Sequence, residues 1–338
     1  YSQSWSRSSH SALNLLVTGG AGFIGSHVVR HLSQRYQVVN LDALTYAGNR
    51  RNLTGLDSNH VFIHGDINDA SLVNSLFREY DFWGVLNLAA ESHVDRSIHS
   101  PLDFVRTNVL GATVLLEAAR QTWKGDPQRR FYQISTDEVF GSLGEEGSFR
   151  EDTPFAPRSP YAASKAAADH LVQAYHTTYG LPTLISHCSN NYGPHQYAEK
   201  LIPLTISRLL HGRTVPVYGN GENVRDWLHV QDHVLAIDEI LHRGQPGQSY
   251  GVGGANEVRN LELVQQICHL VDEQLERKPG TSAGQIEFVT DRLGHDFRYS
   301  IDFTKLRGEL GWQPRWLLNE GLRQTVEWYL AHPEWAQG

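Results

Sequence analysis

The chain has 338 residues, with 29 Lys and Arg against 37 Asp and Glu and a formal net charge of −8. Its 40% hydrophobic and 20% charged residues are the balance of a soluble globular protein with a large core, long enough for one large domain or two moderate ones. An acidic chain without Lys/Arg blocks is a poor nucleic-acid binder, and no run approaches the roughly 18 apolar residues of a membrane helix, so neither partner is expected. No basic segment precedes an apolar one in the manner of a secretion signal, and Cys188 and Cys268 are too few for a disulfide framework or a Cys-rich zinc site. A reducing, cytoplasmic setting is therefore expected.

Residues 1–12 are Ser-rich and aperiodic and read as a flexible arm. From Leu13 onward, short apolar runs (LNLLV, QVVNL, VFIHG, GVLNLAA, RFYQIS, TLISHC) alternate with stretches of helical spacing (FIGSHVVRHLSQ, DASLVNSLFREY, PLDFVRTNVLGATVLLEAARQTW, SPYAASKAAADHLVQAYHTTYG). Nearly continuous apolar strands between amphipathic helices predict a parallel sheet covered on both faces, a doubly wound α/β domain over 13–192. After Gly193 the rhythm changes to helices joined by short strands and Gly-rich turns. This predicts a smaller mixed part over 193–338, whose segments can interleave with the first, and an exposed loop around Pro279 and Gly280.

The first strand runs into Thr18-Gly19-Gly20-Ala21-Gly22-Phe23-Ile24-Gly25, where Gly20, Gly22 and Gly25 have G-x-G-x-x-G spacing and Gly19, Gly22 and Gly25 a G-x-x-G-x-x-G spacing. A pyrophosphate needs a tight turn, close backbone approach and the N–H groups of a helix start, all of which this segment offers. Asp42 ends the second strand, where it can accept both hydroxyls of an adenosine ribose and would repel a 2′-phosphate, so NAD is favoured over NADP. Asp66, after the third strand, is either a contact at the adenine end or a cap on the next segment.

Tyr161 and Lys165 lie four apart in SPYAASKAAADH, on one helix face. Beside a Lys ammonium and a nicotinamide cation the phenolate is favoured, and it can take a proton from a sugar hydroxyl while hydride leaves the same carbon. Ser135-Thr136 ends the strand RFYQIST, where a hydroxyl can bond the same substrate oxygen. Asp137 and Glu138 follow at once. They are a turn cap in the bland reading. In the chemical reading one takes a carbon-bound proton and the other, kept protonated by burial and its neighbour, donates to a leaving hydroxyl. Oxidation needs neither carboxyl; dehydration needs both. The 18 histidines include i,i+4 pairs, His27/His31 and His229/His233, but no third ligand accompanies them, so no metal is expected and solvated helix faces are.

The motifs TGGAGFIG, NLDALTYAGN, LAAESHVDRS, STDEVFG, SPYAASKA, CSNNYGPHQYAEKLIP, VYGNGENVRDWLHVQDH and DRLGHDFRY make the chain resemble the dTDP-glucose 4,6-dehydratases, extended short-chain dehydrogenase/reductases, from about Leu13 to Leu330. Sugar-nucleotide epimerases share the glycine turn and Y-x-x-x-K but lack the acid–base pair, and decarboxylases and GDP-mannose dehydratases keep the Glu without the Asp. Phe140 stands where a Tyr is usual, and a packing change without lost activity is expected. The resemblance implies a bound NAD contacted by Gly19, Gly22, Phe23, Ile24, Gly25, Asp42, Thr45, Asp66, Ile67, Ala89, Tyr161 and Lys165. It implies Thr136 orienting the C4 oxygen, Asp137 as acid, Glu138 as base at C5, Tyr161 as base at the C4 hydroxyl, and Lys165 lowering the Tyr pKa. It places Ser92 and His93 beside the sugar, and Asn190, Arg225, Asn260 and His295 at the diphosphate and sugar. Lys200, Leu201, Pro216 and Tyr218 would form the nucleobase pocket. Arg225 has an independent rationale as a fork for a diphosphate, against a salt bridge with Asp226 or Glu222. The helices carrying PLDFVRTNVLGATVLLEAARQTW and SPYAASKAAADHLVQAYHTTYG would pair across a two-fold axis as a four-helix bundle in a homodimer. The alternatives are another sugar-nucleotide enzyme (a UDP- or GDP-sugar dehydratase, an epimerase or a decarboxylase) and, in another class, a non-catalytic NAD-binding regulator.

Overall fold

The computed structural model describes residues 13–56 and 59–335; the N-terminal arm lies outside them. In chain order the first half is built from β1 (Asn14–Thr18), α1 (Phe23–Leu32), β2 (Gln37–Asp42), β3 (His60–His64), α2 (Ala70–Tyr80), β4 (Gly84–Asn87), α3 (Val94–His99), α4 (Pro101–Phe104), α5 (Ala112–Trp123), β5 (Arg130–Thr136), α6 (Pro160–Tyr179) and β6 (Thr183–Cys188). There follow β7 (Asn190–Tyr192), α7 (Leu201–Leu210), β8 (Val215–Tyr218), β9 (Val224–His229), α8 (Val230–Arg243), β10 (Ser249–Val252), β11 (Glu257–Arg259), α9 (Asn260–Gln274), β12 (Ile286–Val289), α10 (Thr304–Leu310) and α11 (Leu318–Ala331).

Seven strands form one parallel sheet in the order β10-β6-β5-β4-β1-β2-β3. Its strands are apolar on both faces, as a doubly covered sheet requires. Leu15 and Val17 of β1 point into one core with Val28, Val29 and Leu32 of α1, whereas Leu16 points into the other with Val73 and Phe77 of α2 and Leu115 of α5. Strand order reverses between β1 and β4. A crevice opens there at the carboxyl ends of the strands, where open α/β sheets bind ligands.

The late part of the chain does not stay apart from this sheet. Tyr250, Gly251 and Val252 of β10 are buried and pair in parallel with β6, with Ser249 opposite Ile185, and Val234, Ile237 and Ile240 of α8 join the core of α1. The remaining elements pack separately. Ile202 and Ile206 of α7, Val264 and Ile267 of α9 and Leu322 and Val326 of α11 share a core that carries the small sheet β11-β9-β7.

Two local features position the site. Helix α6 starts at Ser159, whose hydroxyl accepts from Ala162 N at 3.0 Å, has Pro160 in its first turn and stops at Gly180 with φ +67°. The predicted long helix over 101–123 is continuous but π-wound from Val105 to Gly111. The wide turn brings Asn108 inward, where its amide binds both the N–H and the carbonyl of Glu91 and donates to Ser164 Oγ at 2.8 Å.

The histidine pairs differ from expectation. His27, His229 and His233 are buried, not solvated: His27 Nε2 meets the Pro194 carbonyl at 2.9 Å, and His233 Nδ1 pairs with Asn191 Oδ1 at 2.8 Å. They sit where α1 and α8 meet the second part of the chain, and packing there sequesters rings that helical spacing alone would leave in water.

Candidate active site

The crevice is a cavity of ≈ 320 Å³ running from the glycine turn to the end of β5 and on to Lys200. At one end the wall is main chain. Gly19 has φ +70°, and a Cβ there would stand 2.7 Å from Ala89 N; at Gly25 it would stand 2.1 Å from the Gly19 carbonyl oxygen. No side chain larger than hydrogen fits either place. Gly22 caps α1 without any side-chain acceptor, and the first turn of α1 carries no acidic residue, so its N–H groups are left for an anion. Asp42 is buried at the cavity wall; its carboxylate takes the N–H of Ala21 and of Leu44, each at 2.8 Å. Asp66 lines the cavity and also closes its own turn, accepting from Asn68 N at 2.8 Å. Thr45, Ile67 and Ala89 complete the lining with Phe23 and Ile24. These groups fit a dinucleotide: uncapped N–H donors for a pyrophosphate and an acceptor-only group for ribose hydroxyls.

At the other end the wall is side chain. The end of β5 passes into a short turn over Asp137–Phe140, which directs Asp137 and Glu138 inward beside Tyr161 and Lys165 of α6. Thr136 Oγ1 donates to Asp137 Oδ1 at 3.3 Å and lies beside the Tyr161 phenol. The second oxygen of Asp137 is buried with no partner among the described residues. Burial, then the neighbouring carboxylates of Glu138 and Asp226, hold Asp137 well above the ordinary carboxylate range. Burial also raises Glu138, but Arg225, Lys200 and Arg292 oppose it. Both carboxyls are thus raised, but Asp137 has neighbouring carboxylates adding to its burial, whereas three cations work against the burial of Glu138.

Two features of this end bear on its chemistry. In the protein without the nicotinamide cation the Tyr161 phenol is favoured over its phenolate. Burial and the charge of Glu138 push it well above its usual value, and Lys165 Nζ donates to the Ile134 carbonyl at 2.8 Å instead of touching the phenol. Of the two hydroxyls that end β5, that of Ser135 donates to Asp169 Oδ2 at 2.6 Å, which leaves Thr136 as the one beside the phenol.

Of the ten predicted sugar-nucleotide residues, Ser92, Asn190 and Lys200 line the cavity, and Asn190 Oδ1 is buried without a partner among the described residues. Lys200 Nζ donates to the Ser92 carbonyl at 3.0 Å, and its charge bears on Glu138. The other seven, His93, Leu201, Pro216, Tyr218, Arg225, Asn260 and His295, stand outside the cavity lining. His93 caps α3, 3.6 Å from Glu199, and burial lowers its pKa to about 4. Leu201 packs on the core around α7 and α9. Pro216 and Tyr218 lie on β8, and Asn260 Oδ1, at the start of α9, is buried and unpartnered among the described residues. His295 holds Asp291 at 2.7 Å with its ring edge toward Tyr218.

Arg225 is no surface salt bridge. Asp226 is taken by Gly254 N and Asn256 N, Glu222 pairs with Arg259, and the Arg225 guanidinium reaches the Asp296 carbonyl at 3.0 Å and stacks on Tyr299. Sequence reasoning missed Arg292. It clamps Asp95 through two nitrogens at 2.6 and 3.0 Å, stacks on Tyr218 and adds its charge at Glu138. The signal was present, since Arg292 belongs to the same DRLGHD run as His295.

Comparison with known proteins agrees with this geometry. The family model described as GDP-mannose 4,6 dehydratase matches residues 16–325. The dTDP-glucose 4,6-dehydratase of Xanthomonas campestris pv. campestris (strain B100) is 54% identical over 96% of this chain and 95% of its own. Among solved structures, dTDP-glucose 4,6-dehydratase from Bacillus anthracis in complex with NAD matches with TM-score 0.85 at 45% identity, covering 96% of this chain and 98% of that one. DesIV, the dTDP-glucose 4,6-dehydratase of Streptomyces venezuelae with NAD and TYD bound, matches with TM-score 0.88 at 45% identity and the same coverage. This chain belongs to the dTDP-glucose 4,6-dehydratase family.

Proposed function

We propose that the chain converts dTDP-glucose to dTDP-4-keto-6-deoxyglucose and water as an NAD-dependent hydro-lyase. The observation that carries this reading is the adjacent pair at the end of β5, in which burial and neighbouring carboxylates hold Asp137 well above the ordinary range while three cations oppose the rise that burial gives Glu138. Gly19, Gly22, Phe23, Ile24, Gly25, Asp42, Thr45, Asp66, Ile67 and Ala89 hold the dinucleotide, with Tyr161 and Lys165 at its nicotinamide end. When bound, NAD supplies the hydride acceptor for C4, the hydride returned to C6 and a positive charge at the catalytic end.

Tyr161 takes the C4 hydroxyl proton, and Thr136 orients that oxygen. The ketone so formed acidifies C5, Glu138 removes the C5 proton, and Asp137 protonates the departing C6 hydroxyl. The C5 proton is returned as hydride reaches C6, so water is lost without net redox change. Ser92, His93, Asn190, Arg225, Asn260 and His295 meet sugar and diphosphate, and Leu201, Pro216 and Tyr218 serve the base with Lys200.

Leu102, Val105 and Leu110 are exposed on the helical run 101–123, and Tyr179 is exposed on α6. These apolar groups support a homodimer in which the two helices pair with their two-fold copies as a four-helix bundle. The free thiols of Cys188 and Cys268 support a cytoplasmic setting. Among the described residues no helix is long and apolar enough to cross a membrane.

The test is incubation with dTDP-, UDP- and GDP-hexoses and analysis of the products. A 4-keto-6-deoxy sugar from dTDP-glucose is expected. A C4 epimer, a decarboxylated sugar or a preference for UDP- or GDP-hexose would overturn the assignment.

A further inference from the structure

Behind the catalytic wall lies a second polar cluster that the reaction does not touch. Asp169, one turn beyond Lys165 on α6, is fully buried. Its Oδ2 accepts from Ser135 Oγ of β5 at 2.6 Å and meets His187 Nε2 of β6 at 3.1 Å. The His187 ring is walled by Phe140 and Phe155, with centroids 4.8 and 5.6 Å away. One carboxylate therefore ties the helix carrying Tyr161 and Lys165 to the two strands that floor the catalytic end. Ser135 directly follows Ile134, whose carbonyl receives the Lys165 ammonium.

A buried ammonium needs a countercharge. The titratable groups whose charges bear on Lys165 are Asp169 on its own helix and Cys188 on β6; Tyr161, Asp137 and Glu138 line the same cavity, and His187 of β6 meets Asp169. Burial pushes the Cys188 thiol up to about 12 and Asp137 well above the ordinary carboxylate range, and Glu138 is met by Arg225, Lys200 and Arg292. Among the described residues Asp169 is the carboxyl left to face Lys165, and its charge opposes the loss of the Lys165 proton.

We infer that Asp169 is a positioning residue for the reaction: held by Ser135 and His187, its carboxylate supplies the countercharge that keeps the Lys165 ammonium at the Ile134 carbonyl, and through Lys165 it acts on Tyr161. The inference rests on the reading of Tyr161 as the base at the C4 hydroxyl. Asp169 touches neither substrate nor cofactor in this scheme.

The test compares holoenzyme of Asp169→Asn, Ser135→Ala and Lys165→Met with the double variant Lys165→Met/Asp169→Asn, following single-turnover NADH formation across pH. Asp169→Asn is expected to move the alkaline limb of the profile to lower pH by about 1–3 units, because Lys165 loses its proton sooner. Ser135→Ala keeps the charge and leaves that limb in place. In the Lys165→Met background Asp169→Asn costs no further rate, as for two residues acting in series. A uniformly lower rate with an unmoved limb, or the same loss in both backgrounds, would overturn the inference and make Asp169 a structural clamp. Should Asp169→Asn fail to fold, Ser135→Ala against wild type still decides: a limb displaced as far as 1 unit with the charge present contradicts the countercharge role. If Tyr161→Phe blocks NADH formation while Asp169→Asn behaves as wild type, only this inference falls. If Tyr161→Phe forms NADH normally, the underlying assignment falls first.

Discussion

Where the glycine turn enters α1, the cleft wall is backbone; where β5 ends, it is charged side chain. At the first place Gly19 and Gly25 leave no room for a Cβ, and function depends on what is absent. At the second, Asp137, Glu138, Arg225, Lys200 and Arg292 stand in one another's fields, and each group's state depends on the others. A backbone site is built from neighbours in sequence and is nearly indifferent to the rest of the fold. A charged site draws on β5, β9, α6, the approach to α7 and the loop that follows β12. Substitutions at the two ends should therefore fail differently: binding is lost at one, a single chemical step at the other.

The largest effect is expected at Glu138. Glu138→Gln keeps the shape of the base but not its charge, so dehydration should fall by about 10²–10⁴. NADH should still form in a single turnover. Deuterium exchange at C5 should stop, and normal exchange would remove Glu138 from the role of base.

Asp137→Asn should come next. Water loss slows far more than hydride transfer, and the intermediate with NADH accumulates. The pH dependence carries a sign. Glu138 must be ionised, so the rate rises as pH climbs through its raised value. Asp137 must be protonated, so the rate falls as pH climbs through a pKa held well above the ordinary range. The alkaline fall should shift or vanish in Asp137→Asn, and equal slowing of both steps with an unchanged profile would make the residue structural.

The same contrast separates what is legible in the sequence from what is not. Strand and helix spans of the first sheet follow from local apolar period, and the glycine turn with Asp42 is a motif of close neighbours, so both were legible. Residues that arrive from far along the chain were not. Strand β10 is four residues whose place beside β6 is settled only by tertiary pairing, and Arg292 reaches Asp95 across 197 positions. The buried histidines were misread for the same reason, because helical spacing tells which residues share a face but not what covers it. The orientation of Ser135 was also invisible. Alternation along β5 places it opposite Thr136, but only the packed helix supplies Asp169 as its partner.

At the backbone end the expected effect is smaller and of another kind. Asp42→Ala removes charge-assisted acceptors worth about 1.5–3 kcal/mol. NAD affinity measured by titration of stripped enzyme should drop by about 10–100-fold, with the turnover of saturated enzyme close to wild type. A lowered turnover at saturating NAD would mean that the two ends are coupled more tightly than their construction suggests.

The smallest effect is expected at Phe140, which is joined in sequence to the acid–base pair but faces the other way. Its ring packs among Phe149, Phe155 and His187, with centroids 5.2, 5.4 and 4.8 Å away. Phe140→Tyr places a hydroxyl in that aromatic cluster. Left unpaired it costs about 1–3 kcal/mol of stability; a bond to the unpartnered His187 Nδ1 would offset that cost. Either way the cleft residues keep their partners, so turnover should stay within about twofold while the thermal midpoint moves by a few degrees. A large loss of turnover with unchanged stability would show that the ring, through His187 and Asp169, sets the state of Lys165, and would make the back of the catalytic wall as sensitive as its face.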